Sequence, residues 1–211
     1  MLQSVSIQTL QRLPDYLNCL KSLLQRNIET VSAKIVAESL GLGEIQVRKD
    51  LASVSSGGKP KVGYVTRDLV RDLETYLGYH DSHDAVLVGA GKLGKALLSY
   101  EGFREYGLNI VAAFDTKGSE SDDDMQVKIL PVETLSDLCR RLKIRIGIIT
   151  VPAVHAQEVC DILVQSGVLA IWNFAPTHLH VPGNILVRNE NMAASLAILS
   201  RHLSRKLLED Q

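Results

Sequence analysis

Gly89-Ala90-Gly91-Lys92-Leu93-Gly94 carries the sharpest chemical signal in the chain. Its three glycines stand at GxGxxG spacing, directly after the apolar run Ala85–Val88 and directly before a helical pattern. In that setting the first glycine turns the chain, the second lets backbone approach a pyrophosphate, and the third lets helix and strand pack closely. A helix start there adds N–H donors and a positive dipole end for the phosphates. Asp115 follows 26 residues after Gly89, at the end of the next apolar run, where a carboxylate accepts hydrogen bonds from an adenosine ribose. The same carboxylate repels a 2′-phosphate, so NAD(H) is expected over NADP(H), with Thr116 and Lys117 beside the ribose. Thr150, Val151 and Pro152 end another strand, and strand ends line the ligand crevice of a doubly wound sheet. Asn173 and Phe174 end a further one, near where the nicotinamide would lie.

A second chemistry is electrostatic. The formal net charge is −1, yet between Ile45 and Arg67 lie Arg48, Lys49, Lys59, Lys61 and Arg67, opposed only by Asp50. Such a patch suits a polyanion. Upstream, leucines 17, 20, 23 and 24 recur at helical spacing from Pro14 to Arg26, with Pro14 near the first turn. Ser32 caps a second helix with inner residues Val36, Ala37 and Leu40, and Gly41-Leu42-Gly43 breaks it. A third helix, EIQVRKDLASV from Glu44, offers Ile45, Val47 and Leu51 for packing while Gln46, Arg48, Lys49 and Ser53 face outward. SSGGKPKVGYV then reads as a hairpin around Gly57-Gly58 and Pro60, with Val62, Tyr64 and Val65 in a strand. Three helices and a basic hairpin make a winged helix, whose third helix enters a major groove while Lys59 and Lys61 reach backbone or minor groove.

After a linking helix at Thr66–Leu77 the pattern changes to short apolar runs alternating with helices. Ala85–Val88, Ile110–Phe114, Val127–Leu130, Ile146–Val151, Leu169–Trp172 and Ile185–Val187 are the expected strands. Several are apolar throughout, as in parallel sheets buried on both faces. Lys92–Tyr106, Val132–Leu142 and Ala153–Ser166 are the expected helices, and Glu120–Asp124 an exposed acidic loop. A final helix over Asn189–Leu208 aligns Leu196, Leu199, Leu203 and Leu207 on a face suited to a partner subunit. The fold class is α/β: a winged helix-turn-helix domain over 1–80, a Rossmann domain over 81–188 and a dimerisation helix over 189–211.

The chain has 211 residues, 45% hydrophobic and 22% charged, which excludes a wholly disordered or low-complexity protein. It contains no apolar run long enough to cross a bilayer and its start lacks a secretory apolar region, so a cytoplasmic protein is expected. Cys19, Cys139 and Cys160 are too widely spaced for a disulfide framework or a zinc-ligand pair and are expected reduced, with no metal site. Two other functions fit parts of this pattern. A dinucleotide could be held by a DNA-binding protein indifferent to its oxidation state. A small NAD-dependent dehydrogenase would need a proton donor, with His155, His178 and His180 available, but no Ser/Tyr/Lys arrangement follows the glycine motif.

Taken in order, VRKDL (Val47–Leu51), GKPKVGY (Gly58–Tyr64), VGAGKLGKAL, AFD, TVPA and WNFAPTHLHVP resemble the Rex family of redox-sensing transcriptional repressors across nearly the whole chain. The resemblance implies a homodimer on a palindromic DNA operator, a Rossmann core that reads the NADH/NAD+ ratio, release by NADH, a C-terminal helix exchanged between subunits, and no catalytic residues. It implies DNA contacts from Gln46, Arg48, Lys49, Lys59, Lys61 and Tyr64, and places Tyr100 near the nicotinamide. Asn18 and Asn191 stand where many members carry an arginine and an aspartate beside that ring.

Overall fold

The computed structural model describes residues 5–117 and 127–209. The expected acidic loop Glu120–Asp124 lies outside the described residues. Two compact units result, Met1–Asp81 and Ser82–Gln211.

In the first unit, α1 runs Ile7–Gln25, seven residues ahead of the start expected at Pro14. Ser6 is the reason: its hydroxyl accepts from the Thr9 N–H at 3.1 Å and caps the helix. Pro14 therefore sits inside the helix and forfeits one ladder bond. Burial of Leu13, Tyr16, Leu17 and Leu20 holds the helix across that gap. Helix α2, Ala33–Leu40, is capped by Ser32 and ends on Gly41 at φ 64°, while the Leu42 N–H donates to the Ala37 carbonyl at 2.9 Å. Helix α3, Glu44–Val54, follows at once and buries Val47 and Leu51; Ile45, expected to pack, is 70% exposed. Helix α4, Thr66–Tyr76, closes the core through Leu69, Val70 and Leu73.

The expected hairpin is reduced to a single bridge between Lys59 and Gly63. The strand beyond it, β2 (Tyr64–Val65), pairs antiparallel with β1 (Thr30–Val31), a two-residue strand too short to show alternation in the sequence. Gly63 makes the crossing possible, with φ at 88° and a position where an added Cβ would lie 2.3 Å from the Val31 carbonyl oxygen. Gly63→Ala is expected to separate β1 from β2 and lower the melting temperature, as thermal melts would register.

The second unit is built on a six-stranded sheet in the order β5-β4-β3-β6-β7-β8, every neighbouring pair parallel. Its strands are β3 (His83–Val88), β4 (Leu108–Asp115), β5 (Ile129–Pro131), β6 (Ile146–Ile149), β7 (Ala170–Asn173) and β8 (Leu186–Asn189). The chain leaves β3 toward one edge and returns to β6 on its other side, so the switch point lies between them. The helix expected over Lys92–Tyr106 is broken into α5 (Lys92–Leu98) and α6 (Gly102–Glu105). At the break the Tyr100 ring folds over Gly102, where any Cβ would lie 2.6 Å from it. Helices α7 (Leu135–Leu142) and α8 (Ala153–Gln165) bury Leu135, Cys139, Val159, Cys160 and Leu163 in the core. Both buried thiols have their pKa pushed up to about 11 by desolvation, which keeps them protonated and unreactive.

Helix α9, Met192–Glu209, begins three residues after the expected start. Its Leu196, Leu199, Leu203 and Leu207 are each more than half exposed. Among the described residues no helix is long and apolar enough to cross a membrane.

Candidate functional site: a dinucleotide cleft and a basic helical face

The glycine turn is shaped by two close approaches. Gly89 has φ 106°, and a Cβ there would lie 2.9 Å from the backbone of Thr150 and Val151; at Gly94 it would lie 2.0 Å from the Gly89 carbonyl oxygen. Thr150 braces the same spot, its hydroxyl donating to Gly89 O at 2.6 Å and Val88 O at 3.1 Å. Gly91, by contrast, faces open space, with nothing within 4 Å of an added Cβ. Helix α5 has no side-chain cap, and the Lys95 N–H makes its first ladder bond, to Gly91 O. The N–H groups of Lys92, Leu93 and Gly94 thus precede that ladder. Bare backbone at Gly91 beside these donors fits a pyrophosphate.

Asp115, ending β4, accepts from the Ala90 N–H at 2.8 Å through Oδ2, and from the Lys117 N–H at 3.2 Å and the Thr116 hydroxyl at 3.3 Å through Oδ1. Burial opposes its ionisation, but these donors outweigh burial and hold its pKa below the ordinary carboxylate value. A depressed folded pKa stabilises the fold above the unfolded pKa, and the effect disappears as pH falls through the folded value. Asp115→Asn is therefore expected to be less stable than the parent at pH 7, with the gap closing as pH falls below about 4 in urea titrations.

A cleft of about 420 Å³ opens at this turn, lined by Gly89, Gly91, Asp115, Thr116, Thr150, Val151 and Pro152 together with Val88, Phe114 and Val132. That volume lies in the range of small-molecule sites. Helix α8 adds His155, Glu158, Val159 and Ile162, which the motif reading did not place there because helical spacing alone does not show which face meets a cleft. Lys92, Leu93 and Lys117 are on the adjoining turns.

The nicotinamide-side expectations fare differently. Tyr100 is 53% exposed and stacks edge-on with Phe103 at 4.8 Å; Phe103 meets Trp172 at 5.5 Å, and Trp172 meets Phe174 at 4.8 Å. These rings lie outside the lining of the 420 Å³ cleft. Asn173 is held within its own loop. It is 0% exposed, and its amide donates to Thr177 O at 2.9 Å and Asn189 Oδ1 at 2.8 Å while accepting from the Ala175 N–H at 3.0 Å. A side chain so engaged organises the loop that ends β7. Asn191 accepts from the Ala194 N–H at 2.9 Å and so caps α9.

On the first unit, Lys49, Lys59 and Lys61 are exposed, as is Arg48, which pairs with Glu44 one turn earlier. Tyr64 is only 8% exposed, and its ring lies against Gly58. Asp50, an opposing charge in the sequence, is buried on the inner face of α3. It accepts from Thr9 Oγ1 at 3.0 Å, from the Tyr16 hydroxyl at 2.9 Å, and from Arg12 through Nε at 2.9 Å and Nη2 at 2.7 Å. The network ties α1 to the outward-facing helix. Its partners lie 34 to 41 residues away in the chain, so no local pattern could have disclosed it.

Comparisons with known proteins agree with this two-part build. A family model described as "CoA binding domain" matches residues 80–177, and one described as "Putative DNA-binding protein N-terminus" matches residues 4–52. The chain is 42% identical to the redox-sensing transcriptional repressor Rex of Desulforamulus reducens, over 94% of this chain and 95% of that protein, and 39% identical to that of Carboxydothermus hydrogenoformans over 93% and 95%. Among solved structures it is similar to the Rex-family repressor RSP in complex with NAD+ and operator DNA, with a TM-score of 0.90 and 33% identity over 99% of this chain and 96% of that one. It is also similar to RSP in complex with NADH, with a TM-score of 0.86 and 31% identity over 99% and 98%. By these identities and this coverage, the chain belongs to the Rex family of redox-sensing transcriptional repressors.

Proposed function

We propose that the chain is a repressor that binds a palindromic operator as a homodimer and is released when NADH occupies its Rossmann unit. The observation that carries the coenzyme half is the Gly89–Gly94 turn at the β3/β6 switch point, with Asp115 bonded to Ala90 and Gly91 open to solvent. Gly91 and the N–H groups of Lys92, Leu93 and Gly94 hold the pyrophosphate, while Asp115, Thr116 and Lys117 meet the adenosine ribose. Thr150, Val151 and Pro152 border the coenzyme, and Tyr100 and Phe174 face its nicotinamide end. When bound, the coenzyme supplies a ring whose charge differs between oxidation states, and the chain performs no reaction on it. A ligand shifts a two-state dimer only by its differential affinity, about 5.5 kcal/mol for a swing from 1:99 to 99:1. The exposed leucine row of α9 supports a subunit partner, as an exchanged helix would require. The protein acts in the cytoplasm, where its operator lies.

Trp172, the only tryptophan, sits in the ring cluster with Phe174. Titration of NADH is expected to quench its emission by energy transfer, with NAD+, which lacks the absorbing dihydronicotinamide, reversing the quenching by competition only at higher concentration. Absence of quenching by NADH would refute the assignment.

For the DNA half, Arg48 and Lys49 enter the major groove and Lys59 and Lys61 meet the backbone or minor groove. Lys59→Ala with Lys61→Ala is expected to weaken binding to all duplexes alike and to reduce the slope of log K against log salt by about 2, some 0.9 per lost phosphate contact. Anisotropy at several salt concentrations measures it.

A further inference from the structure

Helix α8 turns one face to the dinucleotide cleft. His155, Glu158, Val159 and Ile162 follow one another at helical steps, and all four line it, as does Val132 just past β5. With the pyrophosphate on Gly91 and the α5 N–H groups and the ribose on Asp115, the next group along the coenzyme is the adenine, and these five residues are what remains to receive it. Val132 and Ile162 are half-buried and Val159 is buried, a set suited to the faces of a flat heterocycle. Apolar walls alone cannot tell adenine from a purine of the same shape that carries a carbonyl oxygen in place of the amine. That choice needs a polar group at the edge of the ring. Asp161, on the next turn of α8, accepts from the Gln157 amide at 2.8 Å, whereas among the described residues the exposed Glu158 carboxylate has neither a hydrogen-bond nor an ion-pair partner. An ionised carboxylate only accepts hydrogen bonds, and the exocyclic amine of adenine only donates them.

We propose that Glu158 reads the base of the coenzyme, accepting from the N6 amine of adenine and so selecting adenine dinucleotides over those with a 6-oxo purine. This rests on the coenzyme binding put forward above and adds a specificity-determining residue to it. A carbonyl oxygen at the same place would meet the carboxylate acceptor to acceptor, leaving both without a proton to share.

Calorimetry of the full chain with NADH and with its hypoxanthine analogue, in which an oxygen replaces the amine, tests the assignment. The parent is expected to bind NADH about tenfold more tightly, as one partly exposed charge-assisted hydrogen bond would give. Glu158→Ala is expected to bring the two ligands within about twofold. Because the readout is a ratio, the loss of a negative charge near the pyrophosphate acts on both ligands alike and cancels. Glu158→Gln supplies a donor that matches the carbonyl oxygen, and is expected to bind the analogue at least as tightly as NADH. Equal binding of both ligands by the parent, a parent preference for the analogue, or a preference for NADH that survives in Glu158→Ala would each overturn the proposal. Binding of neither ligand by the parent would instead defeat the coenzyme assignment itself.

Discussion

Gly94→Ala is expected to leave a protein that still binds operator but no longer responds to NADH. An alanine Cβ at this position would fall 2.0 Å from the Gly89 carbonyl oxygen, 3.0 Å from the Gly89 carbonyl carbon and 3.1 Å from Thr150 Oγ1. Two of those three atoms are backbone, so no rotamer change relieves the clash. Helix α5 must move away from the β3–α5 turn, carrying with it the Lys92, Leu93 and Gly94 N–H groups proposed to hold the pyrophosphate. Overpacking of this kind costs about 1–3 kcal/mol. Loss of the phosphate geometry should lower coenzyme affinity by at least about 100-fold, on the order of 3 kcal/mol. Calorimetry of NADH binding reads the loss, and operator anisotropy shows whether the first unit survives it. NADH affinity within about threefold of the parent would show that the turn does not hold the coenzyme.

The largest effect on folding is expected from Asp50→Ala. Its carboxylate is the shared acceptor for Thr9, Arg12 and Tyr16, and its removal leaves two buried hydroxyls and a partly buried guanidinium without that partner. Breaking a buried pair in this way costs about 3–5 kcal/mol when both ions are fully enclosed. The Arg12 side chain is 23% exposed, so water recovers part of that and about 3 kcal/mol is expected. Against a total stability of about 5–15 kcal/mol this is a large fraction. Asp50→Asn keeps one acceptor oxygen and should lose less. Urea unfolding followed by circular dichroism orders the three proteins, and an alanine variant as stable as the parent would show that the network is dispensable.

What the sequence made legible follows from how local each signal is. Gly89–Gly94 could be recognised because its three glycines answer steric demands within six residues, and the strand before it and the helix after it are adjacent in the chain. The α2–Gly41-Leu42-Gly43–α3 turn was readable for the same reason. Pairings over long separations were not. The β1 strand has two residues and finds β2 across more than thirty, so no periodicity marks it. Asp50 follows Arg48 and Lys49 in a basic stretch that looks like a solvated face until α1 folds over it. The inward packing of Asn173 and Tyr64 was not legible either, because it depends on the backbone of a following loop in one case and on a glycine six residues away in the other. Pro14 shows the converse error, since a good cap at Ser6 and four buried side chains outweighed the helix-breaking residue.

The central claim is that one coenzyme oxidation state, seated at the β3/β6 switch point, governs whether the two basic faces of a dimer engage DNA. A labelled palindromic duplex saturated with the protein and titrated separately with NADH and NAD+ tests it most directly. The account predicts a fall in anisotropy with NADH at concentrations where NAD+ leaves the complex intact, and no fall with either coenzyme in Gly94→Ala. Equal release by both coenzymes, or by neither, would contradict it.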